Sequence, residues 1–116
     1  MTPADWDTAD RAVRELAPSA LEALGYKTEA AELRKLRPIT NKASALAAMI
    51  EMDPMLRHVR ATTMREDVTA LVIVEAAYGV ASAAWVGNTE FVAWRAERLA
   101  KVATPILQGA DMAPGR

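Results

Sequence analysis

Few residues in this 116-residue chain have the type and spacing for acid–base, metal or nucleophilic chemistry. His58 is the sole histidine, and cysteine is absent. One imidazole without any thiolate assembles neither a histidine triad nor a Cys/His zinc site within one chain, and it leaves no cysteine nucleophile. With Arg57 and Arg60 beside it, His58 reads as a partly exposed histidine on a basic helix rather than as a general base. The glycine-rich phosphate loops, the HExxH zinc helix and the GxSxG nucleophile elbow are all missing. Glu29/Glu32 and Glu66/Asp67 are carboxylate pairs at helical spacing, but they fall in first turns, where the helix dipole already favours acids. No catalytic, cofactor-binding or metal-ligating residue is expected, and the chain is read as non-enzymatic.

Glu75 is more informative, because it is the single charge between Val68 and Val86. A carboxylate among apolar neighbours needs a partner or stays protonated. Three readings remain open: an ion pair with an arginine or helix terminus, exposure on a narrow polar strip, or contact with a bound ligand or proton. The run approaches bilayer-spanning length. Its Ala, Gly, Ser and Thr content and its mid-span acid disfavour insertion, so a buried helix is expected and no membrane partner.

Surface chemistry offers two further sets. On the last helix, Val92, Leu99 and Ala103 point one way, Trp94 falls nearly opposite beside Arg98 and Lys101, and Phe91, Arg95 and Val102 form an intermediate strip; Phe91, Trp94, Arg98 and Lys101 are the interface candidates. An exposed tryptophan beside arginine has the composition of a binding hot spot; the competing reading packs Trp94 under the amino-terminal helix or beneath the Arg98 stem. The second set is basic. Arg34, Lys35, Arg37 and Lys42 surround one turn, and Arg57, His58, Arg60 and Arg65 another. Adjacent in space, the two turns would form one cationic patch for nucleic acid. Residues 20–36 superficially suggest a helix-turn-helix, but Glu29 and Glu32 stand where base-reading side chains belong.

The elements that position these residues are helical throughout. Thr2-Pro3-Ala4-Asp5 is a cap followed by a helix-starting proline, and Trp6, Ala9, Val13 and Leu16 form an apolar stripe ending at Pro18. Ser19–Glu22 reads as a capping box for a short helix closed by Gly25. Thr28 caps a third, with Ala30, Leu33 and Leu36 inward, stopped by Pro38. Thr40 or Asn41 opens the next, whose buried face is Ala43, Leu46, Ala47 and Ile50. Asp53-Pro54 predicts a turn or kink before a short helix through Leu56 and Val59. Thr63–Glu66 is a further capping box, opening the longest helix, near 64–86, with Gly87 as its stop. That helix is apolar on every side, so it is either the bundle centre or shared with another chain. Gly79, Ala83 and Gly87 give it a smooth ridge for close backbone approach. Asn88 caps the last helix, near 89–105, with the stripe Val92, Ala96, Leu99, Ala103 and Ile106.

The expected architecture is an all-α compact bundle of about five to six helices. It forms one domain over 1–107, followed by a flexible tail over 108–116. Alanine supplies 25 residues and larger apolar types only 35, so the core is thin and leaving Tyr78, Trp85 or Trp94 exposed is costly. A second subunit would relieve that cost. Arginine outnumbers lysine 10 to 4, which with the alanine content points to a high-GC bacterial or phage genome. The acidic start (Asp5, Asp7, Asp10) lacks signal-peptide character, so the cytoplasm is the expected compartment. With 14 basic against 15 acidic residues, charge alone does not draw the chain to nucleic acid. The leading expectation is a small regulator, adaptor or inhibitor that binds another protein through a helical surface, mobile-element-borne by its size and homo-oligomeric by its core. Nucleic-acid binding through the basic turns is the alternative.

Overall fold

Thr2 and Asp5 open the first helix by exchange. The Thr2 N–H donates to Asp5 Oδ2 at 2.8 Å, the Asp5 N–H donates to Thr2 Oγ1 at 3.3 Å, and Pro3 takes the first helical position. In the computed structural model, which describes residues 1–63 and 68–112, this helix does not stop at Pro18. It continues as Pro3–Arg11, a π-helical turn Ala12–Leu16 and Ala17–Ala23, together α1. Proline breaks a helix because it lacks an N–H and its ring strikes the carbonyl four residues back. Here the preceding turn is already widened, since the Ala17 N–H reaches back five residues to the Ala12 carbonyl. Pro18 therefore enters in the first turn of a fresh α-helical segment, where its missing donor costs little. The expected break at Pro18 and the capping box at Ser19 are both replaced by continuous helix, and the Glu22 carboxylate pairs with Arg34 instead.

Gly25 closes α1 as expected, in the left-handed region with φ 95°. Helix α2, Lys27–Arg34, begins after Tyr26, so Thr28 lies inside its first turn and is not the cap. Ala30 and Leu33 from this helix, and Leu36 just beyond it, are buried as expected. Asn41 then caps the next helix: its Oδ1 accepts the Ser44 N–H at 2.8 Å, while Ser44 Oγ accepts the N–H groups of Thr40 and Asn41.

Helix α3, Lys42–Thr63, runs straight through Pro54, which is the second departure from expectation. The carbonyl that loses its partner belongs to Ile50, a residue 64% exposed, where water can serve it. Continuity also changes which face is buried. Ala45, Ala48, Met52, Met55, Leu56 and Val59 point inward, whereas Ala43, Leu46 and Ile50 are exposed and Ala47 is half-buried. The stripe through Leu46 and Ile50 runs into Asp53 and Arg57 one turn later. Only the stripe through Ala48 and Met52 stays apolar along the whole helix, and an unbroken helix must use that one.

Helix α4 is Thr69–Val86, and Gly87 ends it in the left-handed region with φ 83°. Of the capping box expected at Thr63–Glu66, Thr63 is instead the last residue of α3, residues 64–66 lie outside the described residues, and α4 starts after Val68, which makes no side-chain cap. Asn88 caps α5, Thr89–Met112, by accepting the Phe91 N–H at 3.0 Å. Of the described helices α5 is the longest, not α4, and it incorporates Pro105 rather than ending there. Val92, Leu99 and Ala103 are buried as expected, with Ala96 and Ile106 half-buried.

Among the described residues there are five helices and no strand, so the chain is an all-α bundle. Helix α4 packs between α3 and α5, and α1 lies against α5 and α4. Ile73, Val74, Ala77, Val80 and Ala81 of α4 are fully buried, which makes that helix the bundle's spine. A radius of gyration of 13.6 Å matches the roughly 13 Å of a compact chain of this size.

Candidate interaction surface

Phe91, Trp94, Arg98 and Lys101 recur at i, i+3, i+7 and i+10 of α5, a spacing that puts them on one helix face. Burial of Val92, Leu99 and Ala103 turns that face to solvent, leaving Phe91 53% and Trp94 51% exposed. Two guanidinium groups stack on the indole, Arg98 at 4.9 Å from the ring centre and Arg95 at 6.0 Å. Exposure and cation–π cover thus coexist. Lys101 differs from the other three, as its Nζ turns to Glu97 of the same helix at 3.7 Å.

Beside Trp94 runs a groove of about 400 Å³. One wall is Val72, Glu75 and Ala76 of α4; the other is Trp94, Arg95, Arg98 and Val102 of α5. Glu75 is neither buried nor alone, because its Oε1 accepts from Arg60 Nη2 at 3.0 Å across to α3. Both side chains are about half exposed, so the pair contributes about 1 kcal/mol or less to stability. Its main effect is to fix a charge at the groove's edge.

The apolar exposure is one-sided. Leu46 and Ile50 on α3, Val72, Trp85 and Val86 on α4 with Val68 just before it, and Phe91 and Trp94 on α5 are the large apolar side chains left open among the described residues. None lies on α1 or α2. Helix α4 is long and apolar enough to cross a membrane by length and composition alone, and half of its residues are buried against the rest of the chain.

The ridge of small residues on α4 is not free for another backbone. A side chain at Gly79 would meet Arg95 Nη1 at 2.5 Å, and one at Gly87 would meet Lys42 Cε at 3.1 Å. Ala83 between them is buried. The chain's own α3 and α5 side chains occupy that ridge.

Most of the basic residues are held by acids of the same chain or stand apart from one another along α3. Lys42 and Arg57 stand fifteen positions apart on one unbroken helix, about 22 Å at 1.5 Å per residue. Arg34 donates to Glu22 at 2.6 Å, Arg57 to Asp53 at 2.9 Å and Arg60 to Glu75, so each is paired with an acid. Lys35, Arg37 and Lys42 have no ion pair among the described residues, and Arg65 lies outside them. Exposed His58 lines a groove of about 310 Å³ with Glu29 and Glu32 of α2. No side-chain hydrogen bond or ion pair joins it to either carboxylate. Among the described residues, no three of His, Cys, Asp and Glu gather where they could hold a metal ion.

The opposite side of the molecule is built from polar links that the sequence reading passed over. Asp10 accepts from Arg14 Nη1 at 3.0 and 3.1 Å and from the Ile39 N–H at 2.8 Å, tying the α2–α3 connection to α1. The four-residue Asp10–Arg14 spacing was the available signal. Asp5 also receives the Thr89 hydroxyl at 3.1 Å, linking the starts of α1 and α5. The Thr2 N–H above all, with the Thr2 and Thr89 hydroxyls, holds the Asp5 carboxyl below the usual carboxylate range. The Arg34 hydrogen bond and its charge do the same for Glu22.

Comparison with protein families, with curated proteins and with solved structures finds no match for this chain.

Proposed function

We propose that this is a non-enzymatic protein-binding module, a small regulator, adaptor or inhibitor. It engages another protein through the α4–α5 face around Phe91, Trp94 and Arg98, working in the cytoplasm. The supporting observation is the half-exposed Trp94, held by Arg98 at 4.9 Å beside a groove of about 400 Å³. An aromatic side chain pre-set by a neighbouring cation loses little freedom on binding, and tryptophan and arginine are the residue types that dominate binding energy when a partner buries them. The mode of action is occlusion: a rigid helical face covers a surface of its target.

The test compares the immobilised wild-type chain with its Trp94→Asp and Phe91→Asp variants. Each variant is checked for retained helicity by circular dichroism. Specific retention of a protein by wild type, and its loss in both variants, is the expected result. Retention that neither substitution affects would place the working surface elsewhere.

A further inference from the structure

We propose that the occupant of the α3–α5 face is a second copy of this chain, docked about a two-fold axis that passes beside the α4–α5 groove. This inference rests on the protein-binding reading above: when no target protein is bound, a second copy closes the same face. Three observations favour a second copy.

The first is area. Seven large apolar side chains on α3, α4 and α5, with Val68 just before α4, are each roughly half exposed and together leave on the order of 700 Å² open. A standard interface covers about 800 Å² per partner. The summed area of these side chains is close to one side of such an interface, with the Arg95 and Lys42 side chains lying across α4 among them.

The second is charge. A two-fold contact joins a patch to itself, so the patch must carry both signs, set to either side of the axis. This groove does so, with Glu75 on the α4 wall and Arg95 and Arg98 on the α5 wall. Rotation about an axis between the walls brings each Glu75 to the Arg98 of the other copy. The third is the whole-molecule balance. A net charge of −1 gives two copies almost no mutual repulsion.

The contact differs from the close helix–helix approach that small residues permit. Gly79 and Gly87 are already covered by Arg95 and Lys42. The copies meet instead through Val72, Trp94 and Phe91, with the tryptophan of one lodging in the groove of the other.

The full chain is examined by sedimentation equilibrium over a concentration series. Wild type is expected to give twice 12.6 kDa. Val72→Asp, at an exposed position where the helix itself tolerates the change, is expected to raise the dimer dissociation constant more than about tenfold with helicity unchanged. Arg98→Glu, which leaves the Glu75–Arg60 pair within the chain intact, should weaken the dimer. A monomer throughout, a dimer insensitive to Val72→Asp, or a monomer that co-sediments with phosphatidylglycerol vesicles would overturn the inference. If wild type is monomeric while Trp94→Asp still abolishes retention of a different protein, the second copy is refuted and the binding reading survives.

Discussion

The two sides of this bundle treat their solvent-facing surface in opposite ways. On α1 and α2, polar groups are tied down by the Thr2–Asp5 exchange, the Asp10–Arg14–Ile39 link and the Glu22–Arg34 pair. On α3, α4 and α5, the large apolar residues that the thin core does not absorb are turned outward. A protein in which 25 of 116 residues are alanine fills its interior with small side chains, so helices pack closely and bulky residues are displaced to the rim. What distinguishes the halves is where those displaced residues go. On α1 and α2 no large apolar side chain is left open, whereas on α3–α5 such side chains stand exposed among charged ones.

The sharpest way to break the comparison is to damage each half and ask which property changes. Leu21, fully buried on α1, should cost about 3 kcal/mol when changed to alanine, read by urea denaturation. Self-association of the variant, where it remains folded, should match wild type. Asp10→Ala should cost about 2 kcal/mol by the same measurement, because it strands the part-buried Arg14 and removes the acceptor of the Ile39 N–H. A loss below about 0.5 kcal/mol would show that this link is incidental.

Gly79→Ala probes the α4–α5 contact inside the second half. The new methyl group displaces only the end of the flexible Arg95 side chain, and alanine is the better helix former, so stability should stay within about 1 kcal/mol of wild type. A loss above about 2 kcal/mol would mean that the Arg95 guanidinium is a fixed part of the α4–α5 contact.

The smallest expected effect is on pH dependence. Asp5 and Glu22 both have folded-state values below those of the unfolded chain. Their contribution is therefore complete above the usual carboxylate range, about 3.9 to 4.3, and is lost as pH falls through and below it. Thermal melts between pH 6 and pH 3 should show that decline, and it should shrink in Glu22→Gln. An unchanged pH profile in that variant would remove the Arg34 pair from the account.

How much of this was legible in the sequence depended on whether the signal was local. Most caps were, because they rest on neighbouring residues: Thr2–Asp5, Asn41, Gly25, Gly87 and Asn88 act as the sequence implies, whereas Thr28 and Ser19–Glu22 fail because the helix start or continuation around them is set by tertiary packing. The three prolines at 18, 54 and 105 were not. Each is a strong breaker by local rules, yet a π-turn upstream admits Pro18 and α3 and α5 carry Pro54 and Pro105 within them. The misplaced break at Pro54 had a further consequence. Treated as two short helices, residues 42–63 can bury Leu46 and Ile50; as one helix they must expose both, which adds two residues to the open face. The same continuity separates Lys42 from Arg57 along one helix. Trp94 and Phe91 were recognisable because the opposite stripe of α5 is unambiguous. The groove was not, since it needs α4 and α5 in register.

The three tryptophans offer the most direct test of the central claim, that the α3–α5 face is covered in solution and the α1 side is not. Trp6 lies on α1, whereas Trp85 and Trp94 lie on the open face. Hydroxyl-radical labelling of each, followed by mass spectrometry, would be run from dilute to concentrated protein. Falling modification of Trp94 and Trp85 as concentration rises, with Trp6 constant, is the predicted result. Equal modification of Trp94 at all concentrations would contradict it.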